Sequence, residues 1–338
     1  MKIRVAINGF GRIGRNAFRV AFVRPDIEIV ALNDLTDTKT LAYLLKHDSS
    51  YGLFDKNISF DEKNIVVDGI SIPVFAEKDP KALPWGDLKV DVVIESTGRF
   101  TDKESAGAHL SAGAKKVVIS SPPKGDGVET IILGVNEDKL KDAGDIISNA
   151  SCTTNSIAAV MDILDREFGV EKAMLTTVHS YTASQVLQDG PAKDLREARA
   201  AAENIVPTTT GAAISVTKTV TSLEGKFDGM SIRVPSPVVS LSDVTMVLER
   251  NTTKEEINDV LKKAAAEPFY QGIVGVSEEP LVSKDYIGNS FSGVVDALLT
   301  NVVAGNLAKV VVWYDNEWGY SNRLVELVAD VGKLTVTS

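Results

Sequence analysis

The sequence predicts an α/β protein in which a doubly wound parallel sheet is followed by an α+β part built on a mixed or antiparallel sheet. Three observations predict it. Short β-branched runs alternate with helically spaced apolar residues through the first third, the pattern of a parallel sheet covered on both faces. After Ser151 the strand runs lengthen and helices become sparse, as in mixed or antiparallel sheets. Gly9, Gly11 and Gly14 stand where the first strand run meets the first helical run, the turn that such a sheet uses at its ligand edge.

In chain order, residues 2–7 form the first expected strand, Arg12 to Arg24 a helix and Glu28 to Leu32 a second strand. The runs Val90–Glu95, Lys116–Ser120 and Ile146–Ser148 lie between helical segments and are too short for helices of normal length, so they read as strands. Beyond Ser151 the spacing predicts a helix over 153–168 and strands over 173–179, 230–234, 238–248 and 309–314. A surface helix is expected over 255–266 and a last helix over 322–331. The segment from Ser180 to Pro207 is mostly polar and carries Gly190-Pro191, which reads as a long ordered loop of the kind kept for function.

With 338 residues, 44% of them apolar and 24% charged, the chain is long enough for about two ordinary domains, and neither a disordered nor a collagen-like reading fits. The net charge of −10, from 36 basic and 46 acidic residues, argues against a wholesale basic footprint for nucleic acid or anionic membrane. A local basic pocket is still compatible with it. The single cysteine, Cys152, cannot form an intramolecular disulfide, no apolar run reaches the ~18 residues of a membrane span, and no export signal is visible near the N-terminus. The expectation is a cytoplasmic protein. No metal-ligand cluster stands out in the sequence.

Gly9, Gly11 and Gly14 form a G-x-G-x-x-G that follows a strand and opens a helix. The first glycine permits the tight turn, the second lets backbone approach a pyrophosphate, and the third lets helix and strand pack closely, with the phosphates meeting the helix N-terminal amides. Asp34 closes the second strand, where a carboxylate accepts from a ribose diol and repels a 2′-phosphate, so NAD is favoured over NADP. Thr97-Gly98 and Ser120 fall at the ends of later strand runs, at the same carboxyl edge of the sheet. Ordinary strand-end turns would look the same at these two positions.

Ser151-Cys152-Thr153-Thr154-Asn155 precedes Ile157, Val160, Ile163, Leu164 and Phe168, which mark one buried helical face. Ser151 then caps the helix and Cys152 sits in its first turn, where the dipole and free amides lower a thiol's pKa. A lone free cysteine is also commonly buried and inert, and position alone leaves both readings open. His179 ends an apolar strand at the start of the long loop, where it can form an activated pair with a cysteine. His47 and His109 have no partner visible in the sequence and receive no role. Thr182, Thr208-Thr209-Thr210-Gly211 and Arg233 supply hydroxyls, an amide and a guanidinium, the groups that hold a phosphate. Threonines also suit strands, and Arg233 can instead pair with a local carboxylate.

Together, Asn8-Gly9-Phe10-Gly11-Arg12-Ile13-Gly14-Arg15, Ser151-Cys152-Thr153-Thr154-Asn155, His179-Ser180-Tyr181-Thr182, Pro207-Thr208-Thr209-Thr210-Gly211-Ala212-Ala213 and Trp313-Tyr314-Asp315-Asn316-Glu317-Trp318-Gly319-Tyr320 resemble the glyceraldehyde-3-phosphate dehydrogenase family, in order and over essentially the whole chain. The resemblance implies a Rossmann-type NAD-binding domain over 1–151, completed by a C-terminal helix over 316–338, and a catalytic and oligomerisation domain over 152–315. It implies oxidative phosphorylation of D-glyceraldehyde 3-phosphate to 1,3-bisphosphoglycerate, with Cys152 forming a hemithioacetal and then a thioester and His179 as base and oxygen-stabilising donor. Thr182 and Arg233 would hold the substrate's phosphate, with Ser151, Thr153, Thr210 and Gly211 lining the region of substrate and attacking phosphate. For the cofactor it adds Arg12 and Ile13 near the pyrophosphate, Lys78 and Ser120 at the rim, Asn316 on the carboxamide and Tyr320 near the nicotinamide. A homotetramer is implied as well.

Two departures from the family pattern bear on the site. Glu197 stands where many bacterial relatives have a second arginine that helps bind inorganic phosphate, and a carboxylate there repels the anion unless Arg196, Arg199 or a bound ion neutralises it. Ala183-Ser184 replaces an Asn-Asp pair in the loop. The alternatives are an erythrose-4-phosphate dehydrogenase, which would release its acyl group to water, and a non-enzymatic NAD-binding redox sensor or RNA-interacting protein in which Cys152 is oxidised rather than turned over. A Cys-His hydrolase leaves the glycine fingerprint without a reason.

Overall fold

A computed structural model describes residues 2–336. Met1 and residues 337 and 338, which fall within the expected first domain and its returning helix, lie outside the described residues. The chain forms two compact units. One holds the residues up to Ile131, Glu137–Ala150 and the chain from Ser321 on, and the other holds Ile132–Asn136 and Ser151–Tyr320.

The first unit contains β1 (Ile3–Asn8), β2 (Ile27–Asn33), β3 (His47–Asp48), β4 (Gly52–Leu53), β5 (Ile58–Phe60), β6 (Asn64–Val67), β7 (Ile70–Phe75), β8 (Val92–Glu95), β9 (Lys116–Ile119), β10 (Glu129–Thr130) and β11 (Ile146–Ser148), with helices α1 (Arg12–Phe22), α2 (Thr38–Lys46) and α3 (Lys103–Ser111). Its main sheet has the order β10-β11-β9-β8-β1-β2-β7-β6-β5. From β10 through β7 all pairings are parallel, and the strand order reverses about β1, the switch point at which open α/β sheets bind ligands. The apolar runs of β1 and β8 are buried throughout because α-helices and connections cover both sheet faces, which is why they read as continuous rather than alternating.

The sequence reading omitted the antiparallel edge made by β5, β6 and β7. Asp68-Gly69 joins β6 to β7 with both residues at positive φ (49° and 82°), the two-residue turn whose twist matches a hairpin, so the signal was present in the sequence. The last helix begins at Trp318 rather than at 316 or 322, because the Asp315 carboxylate accepts from the Glu317 and Trp318 amides and caps it. Farther along that helix Gly332 lies against Ile3, where an added Cβ would meet the Ile3 side chain at 2.3 Å.

The second unit contains α4 (Cys152–Phe168), β12 (Val170–Ser180), β13 (Val206–Thr209), α5 (Ala212–Thr219), β14 (Phe227–Val234), β15 (Ser240–Leu248), α6 (Lys254–Ala265), β16 (Val274–Ser277), β17 (Gly293–Asp296), β18 (Asn301–Val303) and β19 (Leu307–Tyr314), and the chain's last helix, α7 (Trp318–Val336), starts in it. Its sheet runs β13-β14-β12-β15-β19-β17-β16, with β18 beside β19. The sheet is mixed: β12 pairs β14 in parallel and β15 in antiparallel. No strand or α-helix lies between Ser180 and Val206, the stretch read as a long loop. Among the described residues no helix is long and apolar enough to cross a membrane.

Candidate active site

Cys152 is the first residue of α4. Ser151 caps the helix through its hydroxyl, which accepts from Thr154 N–H at 3.1 Å. The expected apolar face, Ile157, Val160, Ile163, Leu164 and Phe168, is buried, and Gly169 ends the helix at φ 67°. This fixes where the sulfur stands. Cys152 Sγ lies 3.4 Å from His179 Nε2, and His179 comes from the end of β12.

Parallel pairing of β12 and β14 places Arg233 directly opposite His179. Arg233 Nη1 contacts both His179 Nδ1 and the Ser180 carbonyl, the latter at 3.2 Å, and His179 Nδ1 lies 2.7 Å from the same carbonyl. Among the described residues the Arg233 guanidinium has no carboxylate partner, and its Nε is buried without a hydrogen-bond acceptor. Of the two sequence readings for Arg233, the local ion pair is therefore the one that does not occur. A cation left in that condition suits an anionic ligand.

Burial, reinforced by the neighbouring Arg233 charge, lowers the His179 pKa to about 3. Burial pushes the Cys152 thiol up, with the Arg233 charge opposing. The sequence reading expected a thiol lowered by the helix N-terminus. Desolvation outweighs that here, and the resting pair is a thiol facing a neutral imidazole. The Ser180 carbonyl only accepts, so Nδ1 carries the proton, the Arg233 Nη1 approach to it is a charge contact rather than a hydrogen bond, and Nε2 is free to take the sulfur's proton.

Tyr314, at the end of β19, was not singled out from the sequence. Its hydroxyl lies 2.9 Å from both Thr153 Oγ1 and Thr177 Oγ1, and Thr177 donates onward to the Leu241 carbonyl at 3.2 Å. Tyr314 therefore donates to Thr177 and accepts from Thr153. Burial and the adjacent Cys152 push the phenol up, so it stays protonated. The Thr153 hydroxyl is thus turned into this buried cluster. Asn316 Oδ1 accepts from Ser180 Oγ at 3.0 Å and from Ser240 Oγ at 3.2 Å, which leaves its amide nitrogen as the donor for a ligand. Val239, just before Ser240, holds φ at 70°, a strained backbone for a β-branched residue. Tyr320 is buried in the first turn of α7.

The other anchors make local contacts. Thr182 Oγ1 lies 3.0 Å from Ser184 Oγ, Thr210 Oγ1 accepts from Ala212 N–H at 3.2 Å, and Gly211 precedes α5. Thr208 donates to Glu197 at 3.0 Å. Arg199 does not neutralise Glu197, because it pairs with Asp189 at 2.8 Å.

In the first unit, Gly9, Gly11, Asp34, Lys78 and Thr97 line a cleft of about 460 Å³ at the carboxyl edge of the parallel sheet. The glycines fit a dinucleotide. A Cβ on Gly14 would meet the Gly9 carbonyl oxygen at 2.0 Å, Gly9 has φ 92°, and a Cβ on Gly11 would enter open space. No side chain caps α1 at Gly11, so the amides of its first turn, Arg12, Ile13 and Gly14, face a region that a pyrophosphate can fill. Asp34 is held by Phe10 N–H at 2.8 Å and Thr36 N–H at 3.0 Å, keeping lone pairs for a ribose diol. The Arg12 guanidinium pairs with Asp48. Thr97 commits its hydroxyl proton to Glu95. Ser120 follows β9, two strands from β1, and does not line this cleft. Among the described residues no cluster of His, Cys, Asp or Glu could hold a metal ion.

Two family models match the chain: one described as glyceraldehyde 3-phosphate dehydrogenase, NAD binding domain, over residues 3–103, and one described as glyceraldehyde 3-phosphate dehydrogenase, C-terminal domain, over residues 151–316. The glyceraldehyde-3-phosphate dehydrogenase of Geobacillus stearothermophilus is 56% identical over 330 residues, which cover 97% of this chain and 98% of that one. That of Thermotoga maritima is 57% identical over 325 residues, 96% of this chain and 97% of its own. Glyceraldehyde-3-phosphate dehydrogenase 1 of Bacillus subtilis is 53% identical over 334 residues, 98% of this chain and 99% of its own.

Proposed function

The chain belongs to the glyceraldehyde-3-phosphate dehydrogenase family, and on that premise we propose that it oxidises D-glyceraldehyde 3-phosphate with NAD and inorganic phosphate to 1,3-bisphosphoglycerate in glycolysis and gluconeogenesis. The observation that carries this reading is the Cys152–His179 contact with an uncompensated Arg233 beside it. As sulfur adds to the aldehyde carbon, His179 Nε2 takes the thiol proton and returns it to the developing alkoxide, giving a hemithioacetal. His179 then takes the hemithioacetal hydroxyl proton as the carbon is oxidised. NAD supplies the two-electron acceptor that converts the hemithioacetal to a thioester. Inorganic phosphate attacks the thioester carbon, the C–S bond breaks, and Cys152 recovers its proton from His179.

Arg233 and Thr182 hold the substrate's phosphate, while Ser151, Thr153, Thr210 and Gly211 line the region of the attacking phosphate. Gly9, Gly11, Arg12, Ile13, Gly14, Asp34, Lys78, Thr97, Asn316 and Tyr320 hold the cofactor, and Ser120, which does not line the cleft, is not kept among them. The oxygen-directed hydroxyls on Asn316 support its part, since they leave the amide donor for a carboxamide oxygen. Residues 1–151 with the C-terminal stretch from 316 on, which carries α7, serve NAD, and 152–315 serve catalysis and assembly. A cytoplasmic homotetramer is the proposed form, supported by apolar side chains left exposed on the second unit at Met174, Ile214 and Met230. NADH formation from glyceraldehyde 3-phosphate tests the reading: the rate is expected to require inorganic phosphate, and a rate indifferent to phosphate would contradict it.

A further inference from the structure

Asn8, Asn33 and Glu95 are the last residues of β1, β2 and β8, and the parallel register sets Asn8 directly beside both of the others. Each immediately precedes a turn at the cleft: Gly9 after Asn8, Asp34 after Asn33, and Ser96-Thr97 after Glu95. All three are buried and joined side chain to side chain. Asn33 Nδ2 donates to Asn8 Oδ1 at 2.7 Å, and Asn8 Nδ2 donates to Glu95 Oε2 at 2.5 Å. At one end Asn33 exchanges two hydrogen bonds of 2.9 Å with the Glu77 backbone, next to Lys78.

The other end is anchored by His109, which the sequence reading left without a partner. It is fully buried, and Trp85 Nε1–H points at its Nδ1 at 3.0 Å. An indole N–H only donates, so Nδ1 accepts, the ring is neutral, and the proton sits on Nε2, which donates to Glu95 Oε2 at 3.1 Å. Glu95 Oε1 accepts from both the amide and the hydroxyl of Thr97. Four donors converge on one carboxylate, a group that only accepts.

We propose that Glu95, joined to Asn8, Asn33 and His109, is a positioning residue for NAD: this buried row locks the turns after β1, β2 and β8 at one fixed spacing. It rests on the reading of the cleft as the NAD site and adds Glu95 and His109, which stand behind the cleft-lining Asn8 and Asn33. The donor–acceptor order makes it testable. In Glu95→Gln an amide NH₂ must face either the Thr97 donors or the Asn8 and His109 donors, so one side of the row comes apart. Adding Asn8→Asp restores a full match: the carboxylate introduced there would accept from Asn33, His109 and the new amide, while the amide oxygen keeps both Thr97 donors.

The test is a calorimetric NAD titration of the whole protein as wild type, Glu95→Gln and Asn8→Asp/Glu95→Gln, alongside steady-state kinetics. Glu95→Gln is expected to weaken NAD binding by about tenfold or more, with kcat at saturating NAD and KM for the aldehyde changed by less than about twofold, and the double variant to regain most of the affinity. Should Glu95→Gln fail to fold, Asn8→Asp alone serves as the mismatched variant against the same double. Wild-type affinity in Glu95→Gln, a matching fall in kcat and aldehyde binding, or a double variant no tighter than the mismatched single overturns the proposal. A wild type that binds no NAD overturns the cofactor reading itself, and this proposal with it.

Discussion

Arg233 faces His179 across two parallel strands, and its guanidinium contacts both the imidazole Nδ1 and the carbonyl that orients it. One cation therefore has two effects. It leaves a positive charge for an anionic ligand, the substrate's phosphate on the proposed reading, and it adds to the burial that keeps the imidazole neutral, the form that can accept the sulfur's proton.

Replacing Arg233 with Gln is expected to lower kcat/KM for glyceraldehyde 3-phosphate by about ten- to a hundredfold, the loss of a charge-assisted hydrogen bond. Unphosphorylated glyceraldehyde should lose much less. Parallel kinetics on the two aldehydes check this, and equal losses would remove Arg233 from phosphate recognition.

His179 makes a prediction about pH. The native imidazole stays neutral down to about pH 3, whereas the unfolded chain takes up that proton near pH 6.5. Between those values the unfolded state binds one more proton, so His179 makes the protein less stable as pH falls through the window, by up to about 1.4 kcal/mol per pH unit. His179→Gln should flatten the dependence of the denaturation midpoint on pH between those limits while cutting kcat by about 10²- to 10⁴-fold. An unchanged slope would mean that the native imidazole is already charged there.

The glycines of the fingerprint should separate fold from ligand. Gly14→Ala sets a methyl 2.0 Å from the Gly9 carbonyl oxygen and is expected to lower the melting temperature and NAD affinity together. Gly11→Ala meets open space at an ordinary φ of −72°, so the melting temperature should hold while NAD affinity falls by about tenfold or more. Thermal denaturation and NAD titration of both variants distinguish the two effects. Unimpaired NAD binding by Gly11→Ala would place the pyrophosphate elsewhere.

Glu197 accepts from Thr208 beside the threonine block, with Arg199 turned away to Asp189. Glu197→Gln keeps an acceptor for Thr208 and removes the negative charge, so KM for inorganic phosphate should fall by about three- to tenfold, with KM for NAD unchanged. A rise in the phosphate KM would show that the carboxylate assists phosphate binding.

Much of this was legible because it is local. The fingerprint lies within a single strand–turn–helix, and the Ser151 cap puts Cys152 in the first turn of a helix whose buried face reads directly from Ile157 to Phe168. His179 was legible only as a strand end. What places it is the pairing of β12 with β14, whose partners stand 54 residues apart. Tyr314 reaches Thr153 across 161 residues, and spacing carries no trace of that. His109 was passed over because its helix, α3, has no strong apolar face, although the side chain is wholly buried against Glu95 and Trp85. Burial also reversed the expected direction for the Cys152 thiol, since a helix N-terminus is visible in a sequence and desolvation is not.

Mixing the protein rapidly with glyceraldehyde 3-phosphate and NAD in the absence of phosphate, then measuring NADH and the mass of the Cys152 peptide, tests the covalent mechanism most directly. The expected result is a burst of NADH stoichiometric with protein chains and an acyl adduct on Cys152 that phosphate discharges. Oxidation of the aldehyde at a near-normal rate by Cys152→Ser, or turnover with no adduct on that sulfur, would contradict it.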